Sequence, residues 1–339
     1  MFRGLVLCAF LTLSGYGLAA LPPVHKTGLG PLVFTLLLGL AFGNLSAGKR
    51  LKGVAAGLGF SSRWLLRTGI VLFGFSLTVQ QLLALGLQVV MLDALVVLTI
   101  TTAGYWLGTR WLKLDRDTAI LTSAGSAICG AAAVLATEGA IRSRPAATSM
   151  AVATVVLFGT LAMFIYPIMY PMMGWEQGLY GAYIGSTVHE VAQVVAAGGA
   201  VGQDALANAV VVKLVRVMLL VPFLLVIGQI WSRRRAAEGH AMEGEGVTDK
   251  HKLVIPWFAF GFLAVVGLNS MLQLPAGVQN GFVVIAQVAM TMAMAALGFQ
   301  TRIESLRSLG VRPFVLALCL FVTLLIGGAI VTPLILNLE

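Results

Sequence analysis

The chain has 339 residues, of which 59% are hydrophobic and 10% are charged, and its mean hydropathy is +0.95. Because soluble domains carry about 25% charged residues, this composition excludes a soluble domain and predicts an all-α, polytopic membrane protein. The net charge of +9 is typical of basic cytoplasmic loops and does not indicate a nucleic-acid site. Cys8, Cys129 and Cys319 lie in separate apolar runs, so we expect neither a disulfide nor a metal site.

Apolar runs along the chain predict eleven transmembrane helices. They cover about 4–21, 30–45, 64–82, 88–108, 118–139, 147–170, 178–197, 205–231, 254–271, 277–299 and 312–336. The first run resembles a signal peptide, but its charged region is only Arg3 and further spans follow at once. We therefore expect a retained first helix, with cleavage as the alternative.

Positive charges orient the predicted helices. If the N-terminus is inside, cytoplasmic segments hold most basic residues, and the outside keeps Lys26, Arg142 and Arg144. This asymmetry predicts an N-in, C-out protein. Arg142 and Arg144 do not fit, and they would move inside if segments 118–139 and 178–197 were both re-entrant. A nine-span arrangement is therefore an alternative to the eleven-span one.

The predicted helices divide into two halves once the first is set aside. Five lie within 30–170 and five within 178–336. Since five is odd, the second half would run opposite to the first, as in transporters built from inverted repeats. Helices 118–139 and 277–299 would then correspond to each other.

The domain boundaries follow from this division. They are 1–29 for an extra N-terminal helix and loop, 30–170 for the first five-helix repeat, 171–231 for the first two helices of the second repeat, 232–253 for a polar cytoplasmic loop, and 254–339 for the last three helices. A similarity between Gly74–Gly86 and Gly298–Gly310 lies outside this register. We interpret it as a recurring way to end a helix.

The run 118–137, TAILTSAGSAICGAAAVLAT, has small and polar residues at its centre. A helix interrupted there could present its half-helix ends to a solute, and a small-residue packing face is the alternative. The candidate substrate contacts in it are Ser123, Ser126, Cys129 and Gly130. The middle of 277–299 adds two more candidates, Gln287 and Thr291.

Two further clusters place ionisable groups inside apolar runs, where they are functional candidates. Ser186, His189, Glu190 and Gln193 fall within an arc of about 100°, so one helix face holds all four. This stripe could couple a proton to transport, or it could be an interhelical hydrogen-bond stripe. The spacing HEVAQ lacks the second histidine of a zinc-protease helix.

Lys213 and Arg216 form the second cluster and share one helix face. One interpretation is that both side chains extend to the membrane surface. The other is a buried cationic pair that faces Glu190 or an anionic solute.

Four strings carry a family resemblance: SAICGAAAVLAT, YIGSTVHEVAQVVAAGG, NAVVVKLVRVMLLVP and AMAALGFQT. From about Thr35 to its C-terminus, the chain resembles the YeiH-type family of bacterial inner-membrane proteins, which are labelled as sulfate exporters. That family is similar to the sodium/proton antiporter and bile-acid symporter superfamily. The resemblance implies two inverted five-helix repeats with two crossed, interrupted helices at the solute site.

The expected function is a secondary transporter of a small anion, of the sulfate or sulfonate class, in the inner membrane. A non-transporting scaffold or sensor is the alternative. No nucleotide-binding or catalytic motif occurs in the sequence, so we expect neither an enzyme nor a cofactor. The expected partners are a small anionic solute and membrane lipid, with a homodimer left open and no nucleic acid.

Overall fold

The computed structural model describes residues 1–20, 31–45, 48, 51, 53–80, 86–237, 257–272, 274–300 and 310–336. Most of these residues are helical, and no strand occurs among them. The predicted polar loop 232–253 begins as helix up to residue 237, and its remainder lies outside the described residues. The part of the chain that the structure describes therefore confirms the all-α fold class.

The helices follow one another with short connections. In chain order they are α1 (Phe2–Ala19), α2 (Pro31–Asn44), α3 (Ala55–Phe60), α4 (Leu66–Phe73), α5 (Gly86–Trp106), α6 (Arg116–Ala127), α7 (Ala131–Ile141), α8 (Pro145–Met173), α9 (Gln177–Thr187), α10 (Val191–Val201), α11 (Gln203–Met218), α12 (Leu220–Ala237), α13 (Trp257–Leu272), α14 (Ala276–Gln300) and α15 (Val311–Leu336). A π-helical turn, Ser61–Leu65, joins α3 to α4, and another, Leu107–Trp111, extends α5.

Six helical stretches are long and apolar enough to cross a bilayer. They are Phe2–Ala19, Gly86–Trp111, Ala146–Met173, Gln203–Arg234, Gly277–Gln300 and Val311–Leu336. Their outer faces expose large apolar side chains, among them Leu98, Ile168 and Ile330. Such surfaces suit lipid and not water, so the fold agrees with a polytopic membrane protein.

Helices α6 and α7 form a hairpin instead of one interrupted span. Arg144 Nη2 lies 3.0 Å from Asp115 Oδ1, at the two ends of this segment. In a continuous helix these residues would be about 43 Å apart. A methyl group placed on Gly125 would lie 2.7 Å from Val134 Cγ2, so the two arms also contact each other near the turn. We call residues 116–141 hairpin 1.

Helices α9 and α10 fold back in the same way. The side-chain amide of Gln177, at the start of α9, lies against the backbone of Gly202, directly after α10. These residues would be about 37 Å apart in a continuous helix. The next helix, α11, then runs back along α9, and Asn208 Nδ2 donates a hydrogen bond to the Gly178 carbonyl at 3.1 Å. We call residues 177–201 hairpin 2.

The prediction that segments 118–139 and 178–197 cross the membrane is therefore wrong, and the re-entrant alternative fits the structure. A single long helix, α8, separates the two hairpins, so they enter the fold from opposite ends. Hairpin 1 returns Arg142 and Arg144 to the end where it began. That end also holds Arg234, whose Nη1 donates to Tyr105 Oη at 2.9 Å. The two arginines thus join other basic residues, which removes the misfit in the predicted orientation.

The predicted correspondence between 118–139 and 277–299 is also wrong, because α14 runs from Ala276 to Gln300 without a break. The element that corresponds to hairpin 1 is hairpin 2. Helix α5 packs on hairpin 1, where Gly104 lies against Ser123, and α15 packs on hairpin 2, where Gly328 lies against Thr187.

The sequence similarity between 74–86 and 298–310 fits the correspondence between hairpin 1 and hairpin 2. Segment 74–86 leads into α5, which packs on hairpin 1, and segment 298–310 leads into α15, which packs on hairpin 2. The second unit therefore has its hairpin before, and not after, the helices α14 and α15. The five-plus-five division along the chain does not capture this order.

The hairpin topology predicts which positions share a side of the membrane. In a chain whose native cysteines are replaced by alanine, Ser143→Cys and Lys113→Cys should react with a membrane-impermeant maleimide from the same side. Glu176→Cys and Asp204→Cys should react only from the opposite side, because α8 crosses between the two pairs. Labelling of positions 143 and 113 from opposite sides would restore the eleven-span arrangement.

Candidate functional site

The two hairpins turn where their arms meet, and both turns lie in the interior. In hairpin 1, α6 ends at Ala127 and α7 begins at Ala131, with Gly130 at φ 67° and ψ −136° between them. In hairpin 2, α9 ends at Thr187, and Val188 and Glu190 are extended before α10 begins. Each turn therefore exposes carbonyl groups at the end of its first arm and N–H groups at the start of its second arm.

The predicted polar stripe does not exist as a single helix face. Ser186 lies in α9 and Gln193 in α10, with His189 and Glu190 in the non-helical turn between them. The helical-wheel prediction is wrong because it assumed that the helix continues through residues 188–190. The turn places these side chains in separate environments.

Arg216 on α11 holds the carbonyl ends of both hairpins. Its side chain is fully buried. Nη2 donates to Ser126 O and Nε to Ala127 O, each at 2.6 Å. On hairpin 2, Nη1 donates to Ser186 O at 2.6 Å. One guanidinium thus bridges the two turns, using the fixed fork of donors that distinguishes arginine from lysine.

Lys213, one turn earlier on α11, completes this arrangement. Its Nζ is fully buried and donates to Ile128 O at 2.6 Å and to Val188 O at 2.7 Å. The interpretation that the pair extends to the surface is therefore wrong. The buried alternative holds, but the hydrogen bonds of both cations go to carbonyl groups and not to Glu190. Positive charge at helix C-termini also complements the helix dipole.

Glu190 occupies the opposite, N–H ends of the same turns. Its carboxylate accepts from the backbone N–H of Gln193, while Gln193 Oε1 accepts from the Glu190 N–H at 2.9 Å, which is a capping box at the start of α10. Glu190 Oε1 also accepts from the Ala131 N–H at 3.2 Å, at the start of α7. One carboxylate therefore sits at the N-termini of both second arms, where negative charge is stabilised.

Gly130 allows this close approach. Its backbone conformation lies at positive φ, in a region that L-residues rarely adopt. A Cβ atom at this position would also overlap the Glu190 side chain. The conformation and the available space therefore both require glycine here.

The remaining predicted residues near the turns play less direct parts in this geometry. Cys129 is buried in the turn of hairpin 1. Ser186 Oγ donates to Tyr183 O at 3.1 Å. His189 is buried with its ring 6.4 Å from that of Phe321. Within the described residues, neither His189 nitrogen nor Ser126 Oγ has a hydrogen-bond partner. The structure therefore joins Glu190 to Gln193 but not to His189 or Ser186.

Three predicted substrate contacts lie elsewhere. Ser123 Oγ donates to Ala119 O at 2.6 Å and lies against Gly104 of α5, away from the turn. Gln287 and Thr291 lie on α14, which packs mainly on α2 and α4 and also touches α10. Thr291 Oγ1 donates to Gln287 O at 2.7 Å within its own helix. Among the described residues, no hydrogen bond joins these three side chains to the hairpin turns.

The sequence analysis missed Asp93. This residue lies on α5, is fully buried, and interacts electrostatically with Arg216 and Lys213. A signal was available, because Asp93 is the single charged residue in the apolar helix Gly86–Trp106. Ionisable groups at such positions are functional candidates.

The hairpin turns bring several charged and dipolar groups together. In the part of the chain that the structure describes, no group of three His, Cys, Asp or Glu side chains could hold a metal ion. Two N–H ends and two buried cations instead surround the hairpin turns. These are the features that stabilise an anion in a low-dielectric interior.

We predict that Gly130→Ala destabilises the protein. The backbone region of Gly130 costs an L-residue about 1–3 kcal/mol, and the added methyl group would displace Glu190 from the Ala131 N–H. The melting temperature in detergent should fall. Gly139→Ala is the matched control, because Gly139 lies in α7, which follows Gly130 directly, and has open space around it. Equal melting temperatures for the two variants would contradict this account.

We predict that Arg216→Lys also lowers the melting temperature and the yield. An ammonium group at position 216 lacks the guanidinium fork that holds Ser126 O, Ala127 O and Ser186 O at once. Each buried carbonyl left without a partner costs about 1–3 kcal/mol. Arg233→Lys on α12 is the control, since Arg233 is exposed. A stable Arg216→Lys protein would show that the bridging hydrogen bonds are dispensable.

Comparison with known proteins supports the family resemblance. Residues 3–317 match the family model described as "Conserved hypothetical protein 698". A UPF0324 membrane protein of Pseudomonas aeruginosa is 42% identical over 98% of this chain and 94% of its own length. The UPF0324 inner membrane protein YeiH is 42% identical in Salmonella typhi, over 98% of this chain and 93% of the relative. The Escherichia coli protein of the same name is 41% identical, over 96% and 91%.

No solved structure matches the chain. Two of these relatives are named inner membrane proteins, and the chain has six helices that could span a bilayer. It is therefore a multi-pass inner-membrane protein. The chain belongs to the UPF0324 family of membrane proteins, which includes YeiH.

Proposed function

We propose that the protein is a secondary transporter that moves a small oxyanion of the sulfate or sulfonate class across the inner membrane, coupled to protons. The observation that carries this proposal is the carboxylate of Glu190, which lies at the N-termini of α7 and α10. A place that holds a carboxylate between two helix N-termini has the donors that a sulfate or sulfonate group needs.

The depth of the hairpin turns supports a transport role. Each hairpin arm has 11 or 12 residues, a length of about 17 Å, which is close to half of a bilayer core of about 30 Å. Two such hairpins from opposite ends meet near the middle of the membrane. A solute bound there is separated from each aqueous phase by one hairpin, which suits alternating access.

Glu190 supplies the coupling in this proposal. Its ionised carboxylate competes with the solute for the N–H groups of Ala131 and Gln193. A proton on Glu190 removes the negative charge and weakens both hydrogen bonds, so that the anion can take its place. Gln193 holds Glu190 in position. The preceding residue in the chain, His189, has no hydrogen-bond partner among the residues that the structure describes. Lys213 and Arg216 provide a positive potential that favours the anion.

Flux in proteoliposomes tests the proposal. Labelled sulfate and small organic sulfonates should accumulate under a pH gradient in vesicles that contain the wild-type protein. Glu190→Gln keeps the shape of the side chain but cannot exchange its charge for a proton. It should lose accumulation driven by the pH gradient by at least about tenfold, which corresponds to about 1.4 kcal/mol, while solute exchange persists.

Glu138→Gln on α7 is the control, because it removes a carboxylate from the same hairpin at a distance from the turn. It should behave as the wild type. If no anion moves under any gradient, the transporter proposal fails and a scaffold or sensor remains. If Glu190→Gln still follows the pH gradient, transport stands but Glu190 does not carry the proton.

A further inference from the structure

Asp93 is a buried ionisable side chain that interacts electrostatically with Lys213 and Arg216 and that the proposed function does not use. It is 0% exposed on α5. Within the described residues, neither of its carboxylate oxygens has a hydrogen-bond partner. A buried ionised carboxylate without hydrogen bonds is strongly unfavourable, whereas a protonated one is tolerated. The arrangement therefore suits a carboxyl group that holds a proton.

Helix α11 packs on α5 and carries Lys213 and Arg216, and both cations act electrostatically on Asp93. Both cations direct their hydrogen bonds to the carbonyls of the hairpin turns and not to Asp93. They nevertheless provide the positive charge that an ionised Asp93 would need. The protonation of Asp93 is thus linked electrostatically to the two cations that donate hydrogen bonds to the hairpin carbonyls.

The other helices packed on α5 are α6, α9 and α15, and their titratable groups are engaged elsewhere or lie near the surface. On α9, Tyr180 Oη donates to Tyr166 O at 2.6 Å and Tyr183 Oη to Leu325 O at 2.5 Å. On α6, Arg116 is exposed and Asp117 Oδ1 accepts from Trp231 Nε1 at 3.3 Å. On α15, Cys319 is partly exposed and Arg312 is exposed.

We propose that Asp93 is a second proton-binding residue, whose protonation sets the net charge between the hairpin turns and so selects a dianion over a monoanion. This inference rests on the proposed function. With Asp93 and Glu190 both protonated, Lys213 and Arg216 leave two positive charges, which match a dianion such as sulfate. With Asp93 ionised, one positive charge remains, which matches a monovalent sulfonate. Two protons would then accompany each dianion, and the transported unit would be neutral.

The proton on Asp93 can be observed without any transport. In infrared spectra of the wild-type protein at neutral pH, the C=O stretching band of a protonated carboxylic acid should be present. Aspartate labelled with ¹³C in its side-chain carboxyl group should shift this band, and Asp93→Asn should remove it. Asp204→Asn is the control, because Asp204 is exposed, and the band should persist in it.

If Asp93→Asn does not fold, the isotope shift in the wild-type chain still tests the inference. The other described aspartates lie at hairpin or helix ends near the surface: Asp115, Asp117 and Asp204. None of the three is fully buried, as Asp93 is. A spectrum without a protonated aspartate band overturns the inference, whether or not the protein transports anions.

The charge-selection part is tested by flux. In the wild type, the ratio of sulfate to methanesulfonate flux should fall at least tenfold as the pH rises and Asp93 ionises. In Asp93→Asn the side chain is permanently neutral, so the ratio should stay high across the same range. A ratio that follows pH equally in both proteins overturns this role. If neither anion moves in any protein, the proposed function has failed, whereas the infrared band still reports the proton on Asp93.

Discussion

The structure depends on one constraint, which is that backbone groups within a membrane need partners other than water. Both hairpins break their helices in the interior, and each break leaves carbonyl groups without helical partners. Lys213 and Arg216 satisfy five of these carbonyls, from Ser126 to Ile128 in hairpin 1 and at Ser186 and Val188 in hairpin 2. Each unpaired buried group costs about 1–3 kcal/mol, so the hydrogen bonds of these two side chains stabilise both turns.

Small residues on α9 allow α11 to pack so closely that Lys213 and Arg216 reach the turns. Gly181 and Gly185 lie directly against the backbone of α11 near Ala205 and Ala209. This is the close approach that a G-x-x-x-G pattern permits between membrane helices. Larger side chains would move α11 outwards, and the donors of Lys213 and Arg216 would no longer reach the turns. Gly181 and Gly185 therefore support the site through the close packing of α9 on α11.

The charges at the turns are separated by the direction of the backbone. Carbonyl ends attract the two cations, and N–H ends attract the carboxylate of Glu190. Opposite charges therefore lie near the same turns, and the hydrogen bonds described above join each of them to the backbone. The N–H ends are then held by a group that a proton can neutralise. A buried direct Glu190–Lys213 pair would instead lock both groups together, because breaking such a pair costs about 3–5 kcal/mol.

The sequence by itself determined the all-α membrane class and the family, and it pointed to the stretch around Gly130 as a place where a helix could be interrupted. Composition gave the membrane class, four sequence strings gave the family, and the small residues around Gly130 gave the candidate interruption. The sequence also pointed to Glu190, Lys213 and Arg216, because charges in apolar runs are conspicuous. Asp93 carried the same signal and was missed.

Only the tertiary structure decided whether an apolar run crosses or turns back. A hydropathy pattern is the same for a spanning helix and for two buried arms, because both hide the same side chains from water. The contact between Asp115 and Arg144 distinguishes them, and it joins residues far apart in the chain. The reversal of the chain in hairpin 2 places Glu190 outside any helix. A helical wheel therefore could not find its hydrogen-bond partner, the Ala131 N–H.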